Sequence, residues 1–578
     1  MPSFVITGLE TTNQILGNAN TGIVAPGGVL SVASSDAITA SGAPEIVALG
    51  TVIASGSSGD HAVQHGGTTL EMSVGTGGYV AAMDATAITS GITASARLNN
   101  AGQIVGFGGF GATILTTDGG ASINIENSGS ISGTTAALRL GSGTADIVIT
   151  NSGTVHASGT GIDITQPSQT GITTLFNSGT LTGHSAAFRG ETGSERIFNS
   201  GTIEGLVSVG TNSNRIENTG EILGDISNVG FRTPVIADRT TIINSGTISG
   251  RIELFEFASD ITNSGTINGS INVIGSLALD NSGVINGDIN LSTNGDNGTL
   301  DLGNVGTITG SVELGDNDDT FRGLGGTVTD TVTGHDGDDV YYVDAGTPFL
   351  REYALQGIDT VNAAVSWTLG ANFENLALLD IAGNANGVGN SENNWITGNN
   401  SDNMLDGQAG DDGIFAGTGA DTLFGGEGDD TLDGGLGGDQ IDGGEGIDTL
   451  SYLSSAGWVN VSLLTGFVGG GAGSHALGDS LLGIENITGS VHDDRLNGDS
   501  GANILSGDNG DDILRGRGGA DELFGGLGTD TADYADSEGW VNVSLMTGFT
   551  GGGTGNHANG DTFSSIENLT GSDRKSVV

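Results

Sequence analysis

Cysteine is absent from the 578 residues, lysine and arginine together number 15, and proline 6. Without cysteine there are no disulfides, no thiolate chemistry and no cysteine-based zinc site. So few cations against 68 acidic residues leave a formal charge of −53. Such a surface repels nucleic-acid phosphates and anionic lipid headgroups. Aromatics, at 5%, are too sparse for several large conventional cores. No apolar run approaches transmembrane length. The first lysine or arginine is Arg97, so "MPSFVITGLETT" lacks the positive start of a secretory signal peptide, and any export is expected to use another route. What abounds is glycine, at 107 residues, with Ile, Val, Leu and Ala set among Thr and Asn. That is the vocabulary of strands and turns, and the expected fold class is all-β. An acidic, glycine-rich chain could also be disordered, but here the apolar residues recur in register.

The first register is N-S-G-T-I-x-G. It runs from "NAGQIVG" at Asn100 through Asn127, Asn151, Asn177, Asn199, Asn218, Asn244, Asn263 and Asn281 to "NVGTITG" at Asn304. Steps of 18 to 27 residues between these asparagines suit one coil of a solenoid, whose apolar side chains are buried against neighbouring coils. In "TIINSGTISGRIEL", Ile242, Ile248 and Ile252 fall in short strands separated by Asn-Ser-Gly turns. Stacking would place Asn over Asn in an amide ladder. A parallel β-helix is therefore expected over 96–312, with 1–95 as an irregular β region or cap. Residues 313–388 read as a transitional β segment, in which "LGDNDDTF" and "GHDGDDVYY" look like isolated copies of a later repeat.

That later repeat has a period of nine. Ile396, Leu405, Ile414, Leu423, Leu432, Ile441 and Leu450 are evenly spaced, and Leu496, Leu505, Leu514, Leu523 and Ala532 resume the count. Two residues before each stands an aspartate or asparagine: Asn394, Asn403, Asp412, Asp421, Asp430, Asp439 and Asp448, then Asp494, Asn503, Asp512, Asp521 and Asp530. The pattern is G-G-x-G-x-D-x-U-x, with U large and apolar. The x-U-x residues form a minimal strand, and G-G-x-G-x-D forms a turn whose glycines accept positive φ and aim carbonyl oxygens at a common point. If each turn reverses the chain, repeats n and n+2 stack. Asp412 then lies beside Asp430, Asp421 beside Asp439, Asp430 beside Asp448, Asp494 beside Asp512 and Asp512 beside Asp530.

Cages of carboxylate and carbonyl oxygen suit Ca²⁺ better than Mg²⁺, which wants a tight octahedron, or transition metals, which want His or Cys. The candidate ligands are Asp339, Asp412, Asp421, Asp430, Asp439, Asp448, Asp494, Asp512, Asp521 and Asp530. Main-chain carbonyls are expected from Gly417, Gly419, Gly426, Gly428, Gly435, Gly437, Gly444, Gly446, Gly510, Gly519, Gly526 and Gly528. Where Asn394, Asn403 and Asn503 replace aspartate, weaker or empty sites are expected.

Over about residues 311–572 the chain resembles the RTX, or haemolysin-type calcium-binding, family of secreted bacterial proteins. The resemblance implies a parallel β-roll, folding triggered by extracellular calcium, and export unfolded by type I secretion machinery that reads an uncleaved C-terminal signal. Extracellular calcium modules bind at about 10⁻⁴–10⁻³ M, so such sites would stay empty in the cytosol and fill outside.

"GWVNVSLLTGFVGGGAGSHALGDSLLGIENITGS" at 457–490 returns at 539–572, an offset of 82 that also relates Asp439 to Asp521 and Asp448 to Asp530. The expected order is thus a first roll block at 389–451, a β insert at 452–488, a second block at 489–533 and a second insert at 534–572. His475 and His557 correspond, as do Asp479 and Asp561. A metal role for this pair competes with a turn-stabilising one. The closing "DRKSVV" holds the sequence's only lysine, Lys575, and back-translates to a common sequencing-library adapter, so 573–578 is read as an artefactual tail.

No histidine begins H-E-x-x-H and no G-x-S-x-G occurs, which leaves zinc-protease and lipase chemistry without a motif. A sugar lyase or epimerase could use a β-helix groove, with Arg139, Arg189, Arg196, Arg215, Arg232, Arg239 and Arg251 facing Glu204, Glu217 and Asp238. The regular Asn-Ser-Gly-Thr coils also resemble β-helical adhesins and autotransporter-like passengers. Two readings stand: a secreted, non-enzymatic calcium-binding adhesin, surface or matrix rod, with glycans or a cell or matrix surface as partner; and a carbohydrate-active β-helix carrying a calcium-dependent export and folding module.

Overall fold

The computed structural model describes residues 2–572 apart from 18–19, 34, 56–59, 84, 117–121, 142–145, 166–170, 191–192, 211, 229–238, 292–297 and 348. The expected tail at 573–578 lies outside the described residues, as do Arg232 and Asp238. The chain forms two compact units. The first comprises Met1–Phe321 with Gly325–Thr333, and the second Arg322–Leu324 with Gly334–Val578. No helix among the described residues is long and apolar enough to cross a membrane.

The first unit is a parallel β-helix with three strands to a coil. Ser122–Asn127, Ser130–Gly133 and Ala136–Gly141 make one coil, and Ile147–Asn151, Thr154–Ala157 and Thr160–Ile164 stack on them strand for strand. Each Asn-Ser-Gly is the corner after the first strand. There the Ser152 and Gly153 N–H groups both donate to the Asn127 carbonyl, at 2.8 and 3.1 Å. Coils pack so closely at this corner that a Cβ on Gly153 would collide with the Gly129 carbonyl, which explains the fixed glycine.

Strand alternation then turns Ile242, Ile248 and Ile252 fully inward. Burying a side chain of this size contributes roughly 1.5–3 kcal/mol. The ladder also extends back through the stretch expected to be irregular. Leu9–Glu10, Val29–Val32, Thr51–Ala54 and Tyr79–Ala82 pair in sequence and lead into Gln103–Gly106. Alternate inward residues such as Leu30, Val52, Ala54 and Val80 suffice for coils there, without the asparagine corner that makes them visible as a repeat.

The asparagines form the expected amide ladder. Each Nδ2 donates to the Oδ1 of the next: Asn100, Asn127, Asn151, Asn177, Asn199, Asn218, Asn244, Asn263, Asn281 and Asn304, at 2.7–2.9 Å. All are buried, and the amide also reaches a carbonyl of the following strand, as Asn199 does at Glu221.

The second unit holds the nine-residue repeats in parallel rolls. Residues 18 apart pair in register, Ile396 with Ile414 and Leu432 on one side, Leu405 with Leu423 and Ile441 on the other. Every repeat's apolar residue is buried, from Ile396 to Leu450 and from Leu496 to Ala532. Each insert contains an antiparallel hairpin, Val459–Ser462 with Phe467–Gly470 and Val541–Ser544 with Phe549–Gly552. The first hairpin's Val461 then pairs with Leu496, so the insert starts the second block.

Removing one rung of the amide ladder leaves buried partners on both sides unsatisfied. Asn199→Ala is expected to destabilise the first unit by about 1–3 kcal/mol. Asn286→Ala, at an exposed amide contact with Asn268, should cost far less, as chemical denaturation of the two variants would show.

Candidate calcium centres

The aspartates expected to stack do so, through a link the repeat pattern does not itself reveal. The backbone N–H of each repeat's sixth residue donates to the Oδ1 of its equivalent one coil on. Asn394 donates to Asp412, Asp412 to Asp430 and Asp430 to Asp448, while Asn403 donates to Asp421 and Asp421 to Asp439, all at 2.6–2.9 Å. In the second block Asp494 donates to Asp512, Asp512 to Asp530 and Asn503 to Asp521, at 2.7–2.9 Å.

One oxygen of each carboxylate is thereby used. The other, Oδ2 of Asp412, Asp421, Asp430, Asp439, Asp448, Asp512, Asp521 and Asp530, is buried without a hydrogen-bond partner. These oxygens face main-chain oxygen. A Cβ on Gly407 would collide with Oδ2 of Asp412 and lie 2.6 Å from the Gly425 carbonyl. Oδ2 of Asp430 converges with the Gly443 carbonyl at Gly425, that of Asp448 with Gly483 at Gly443, that of Asp512 with Gly525 at Gly507, and that of Asp530 with Ser565 at Gly525.

Of the glycines expected to turn carbonyls inward, Gly417, Gly419, Gly426, Gly428, Gly435, Gly444, Gly446, Gly510, Gly519, Gly526 and Gly528 have positive φ, and Gly437 does not. The carbonyls of Gly417, Gly419, Gly426, Gly428 and Gly510 lie against the glycines one coil on, Gly435, Gly437, Gly444, Gly446 and Gly528. A side chain at these stacked positions would meet that oxygen.

Residues 388–423, 415–450, 486–505 and 497–532 match the family described as RTX calcium-binding nonapeptide repeat (4 copies). These turns are RTX calcium-binding repeats. The chain is also 40% identical over 67 residues to the endo-1,3-1,4-beta-glycanase EglC of Rhizobium meliloti (strain 1021); the match covers 12% of this chain and 14% of that protein.

RTX repeats bind several calcium ions, and the residues present fit that cofactor. Buried oxygens lacking a donor, set among carbonyls, are the hard-donor environment calcium selects. Asp494 differs from its equivalents, because the Ser490 N–H and hydroxyl both donate to its Oδ2. Asn394, Asn403 and Asn503 differ too. Their Oδ1 atoms accept N–H groups from within the turn, and their Nδ2 atoms donate to the carbonyls of Phe373, Ala385 and Glu485.

The inserts supply acids that the nonapeptide pattern could not indicate. Asp439 donates its N–H to Asp479, Asp448 to Glu485, Asp521 to Asp561 and Asp530 to Glu567, at 2.9–3.1 Å. The 82-residue offset, which relates Asp479 to Asp561 and Glu485 to Glu567, was the available signal. His475 takes no part in this ladder. Its Nδ1 lies 3.2 Å from Ser454 Oγ, which donates to Asp433, and Asp479 instead accepts the Tyr452 hydroxyl.

Burial, reinforced by neighbouring carboxylates, raises Asp412, Asp439, Asp512 and Asp521 to about 7 and Asp430 to about 6, with the backbone N–H bonds opposing it. A carboxyl raised in the folded state contributes stability below its unfolded value near 4 and loses it as pH climbs through about 7. The calcium-free rolls should therefore gain stability as pH falls from about 7 to 4. Calcium must displace those protons, so its binding midpoint should rise about tenfold or more between about pH 7.5 and 5.5 in calcium titrations. Asp430→Asn should weaken binding at neutral pH, whereas Glu427→Gln, at the exposed end of the strand Thr422–Glu427, should leave the midpoint unchanged.

Proposed function

We propose that this is a secreted protein whose RTX rolls fold on meeting extracellular calcium, and whose β-helix serves attachment at a cell surface or in a matrix. The observation that carries the reading is the row of buried Oδ2 atoms, which have acceptor capacity and no protein donor. Type I export of an unfolded chain suits a module that orders only where calcium is abundant.

The charge pattern of the first unit supports a non-enzymatic role. Arg189 pairs with Asp163, Arg215 with Glu217, Arg239 with Asp260, and Arg251 with both Asp225 and Glu253. Arg139 donates to Thr165 and lies over the Phe110 ring. Glu204 sits on the strand Thr202–Glu204, on a different face of the helix from Glu217 in Asn214–Asn218. Among the described residues Glu204 thus lies apart from Glu217, whereas Arg196 and Arg215 pair in register on the face that carries Glu217.

A carbohydrate-directed role is the second reading, favoured by the short match to a protein named as a glycanase. In millimolar calcium both units of the full chain should resist limited proteolysis. In EGTA, cleavage should spread through 389–572 while 96–312 stays protected and β circular dichroism falls in part. Identical patterns in the two conditions would sink the calcium reading. A glycan array, with release of reducing ends as the second readout, separates attachment from cleavage.

A further inference from the structure

We propose that Asp339, Glu352 and Asp359 hold one further divalent cation, at a site built differently from the repeats. The inference rests on the calcium reading above and extends it to residues outside the matched span of 388–532. The three carboxylates are buried, and one oxygen from each lies within 4.8 Å of one from both of the others. Asp339 and Asp359 are linked as the roll aspartates are, the Asp339 N–H donating to Asp359 Oδ1 at 2.9 Å. Glu352, which directly follows the strand Phe349–Arg351, adds a third carboxylate that no repeat supplies.

Glu352 is 4% exposed. Its Oε1 accepts the hydroxyl of buried Tyr341, while its Oε2 is buried with no hydrogen-bond partner. Gly334 closes the site. A Cβ there would collide with Glu352 Oε1 and Asp339 Oδ2 and press on Tyr341 Oη, so these oxygens converge where only a hydrogen fits.

Three carboxylates out of water repel one another unless positive charge joins them. An all-oxygen set with no His or Cys selects a hard cation. Calcium affinity rises with ligand charge and rigidity, and this site gathers three side-chain carboxylates. It should therefore fill at lower calcium than the rolls.

The test is calcium binding by the full chain, followed by equilibrium dialysis and calorimetry, in wild type, Glu352→Gln and Gly334→Ala. Gly334→Ala removes no ligand but obstructs the space. Both variants should lose the tightest ion or weaken it by at least the about 10–100-fold that losing an outer-shell partner costs, with later steps unchanged. Tyr341→Phe should keep the ion but reduce tyrosine-sensitised Tb³⁺ emission at the first equivalent. If both variants keep wild-type stoichiometry and first-step affinity, the assignment is wrong and the roll reading survives. If the wild type binds no calcium, both fall.

Discussion

An aspartate stacked on an aspartate offers acceptors and no donor, and the second unit is organised around that shortage. The first unit stacks polar side chains in parallel coils just as tightly, but with asparagine. An amide carries both functions, so Nδ2 of one coil satisfies Oδ1 of the next and the ladder is complete from Asn100 to Asn304. Replacing the amide by a carboxylate keeps one acceptor, which the backbone N–H of the previous coil fills, and leaves the other oxygen facing carbonyls. Burying such a charge without a partner costs several kcal/mol, and each further coil adds another. A calcium ion bound there would provide the missing positive charge, so one stacking geometry would give a self-sufficient solenoid in one unit and a conditional one in the other.

The ends of the carboxylate ladders bear this out. Each begins at a residue that brings its own donors: Asn394, Asn403 and Asn503 through their amides, and Asp494 through the serine that covers it. Each ends on an acid from outside the nonapeptides, Asp479 and Glu485 after the first block, Asp561 and Glu567 after the second. The inserts are therefore not passive spacers. They complete the last gaps, and the first hairpin also supplies the strand on which the second block starts. Tyr452 and Tyr534 donate to Asp479 and Asp561, fixing these insert acids in place.

Much of this was legible in the sequence because both repeats encode periodic contacts with their own kind. A column of Asn-Ser-Gly or of Gly-Gly-x-Gly-x-Asp can be read without knowing what lies opposite, since what lies opposite is itself. The buried residues Ile396 to Leu450 follow from a count of nine. Legibility failed wherever the partner was of another kind. Glu485 meets Asp448 from 37 residues further along the chain, and the nine-residue period does not announce it. Glu352 joins Asp339 and Asp359 from just beyond the strand Phe349–Arg351, outside any repeat. The β-helix before residue 96 was obscured for the opposite reason, because its inward Leu, Ile, Val and Ala alternate along the strands without a marked corner to betray the coil length.

Linked gaps also change how the rolls respond to calcium. An ion that binds only the folded form stabilises it by about 2.7 kcal/mol when its free concentration is a hundred times its dissociation constant. Asp412 and Asp430 each take part in two successive stacks, as acceptor for one coil and donor to the next. A gap filled at one of them fixes the backbone that shapes its neighbour, so part of the ordering cost of the second gap has already been met by the first. Unfavourable carboxylate repulsion and favourable ion binding thus accumulate along the same ladder. With both terms growing coil by coil, the rolls are expected to pass from unstable to stable over a narrow range of calcium, whereas the amides of the first unit's ladder already have their partners within the protein.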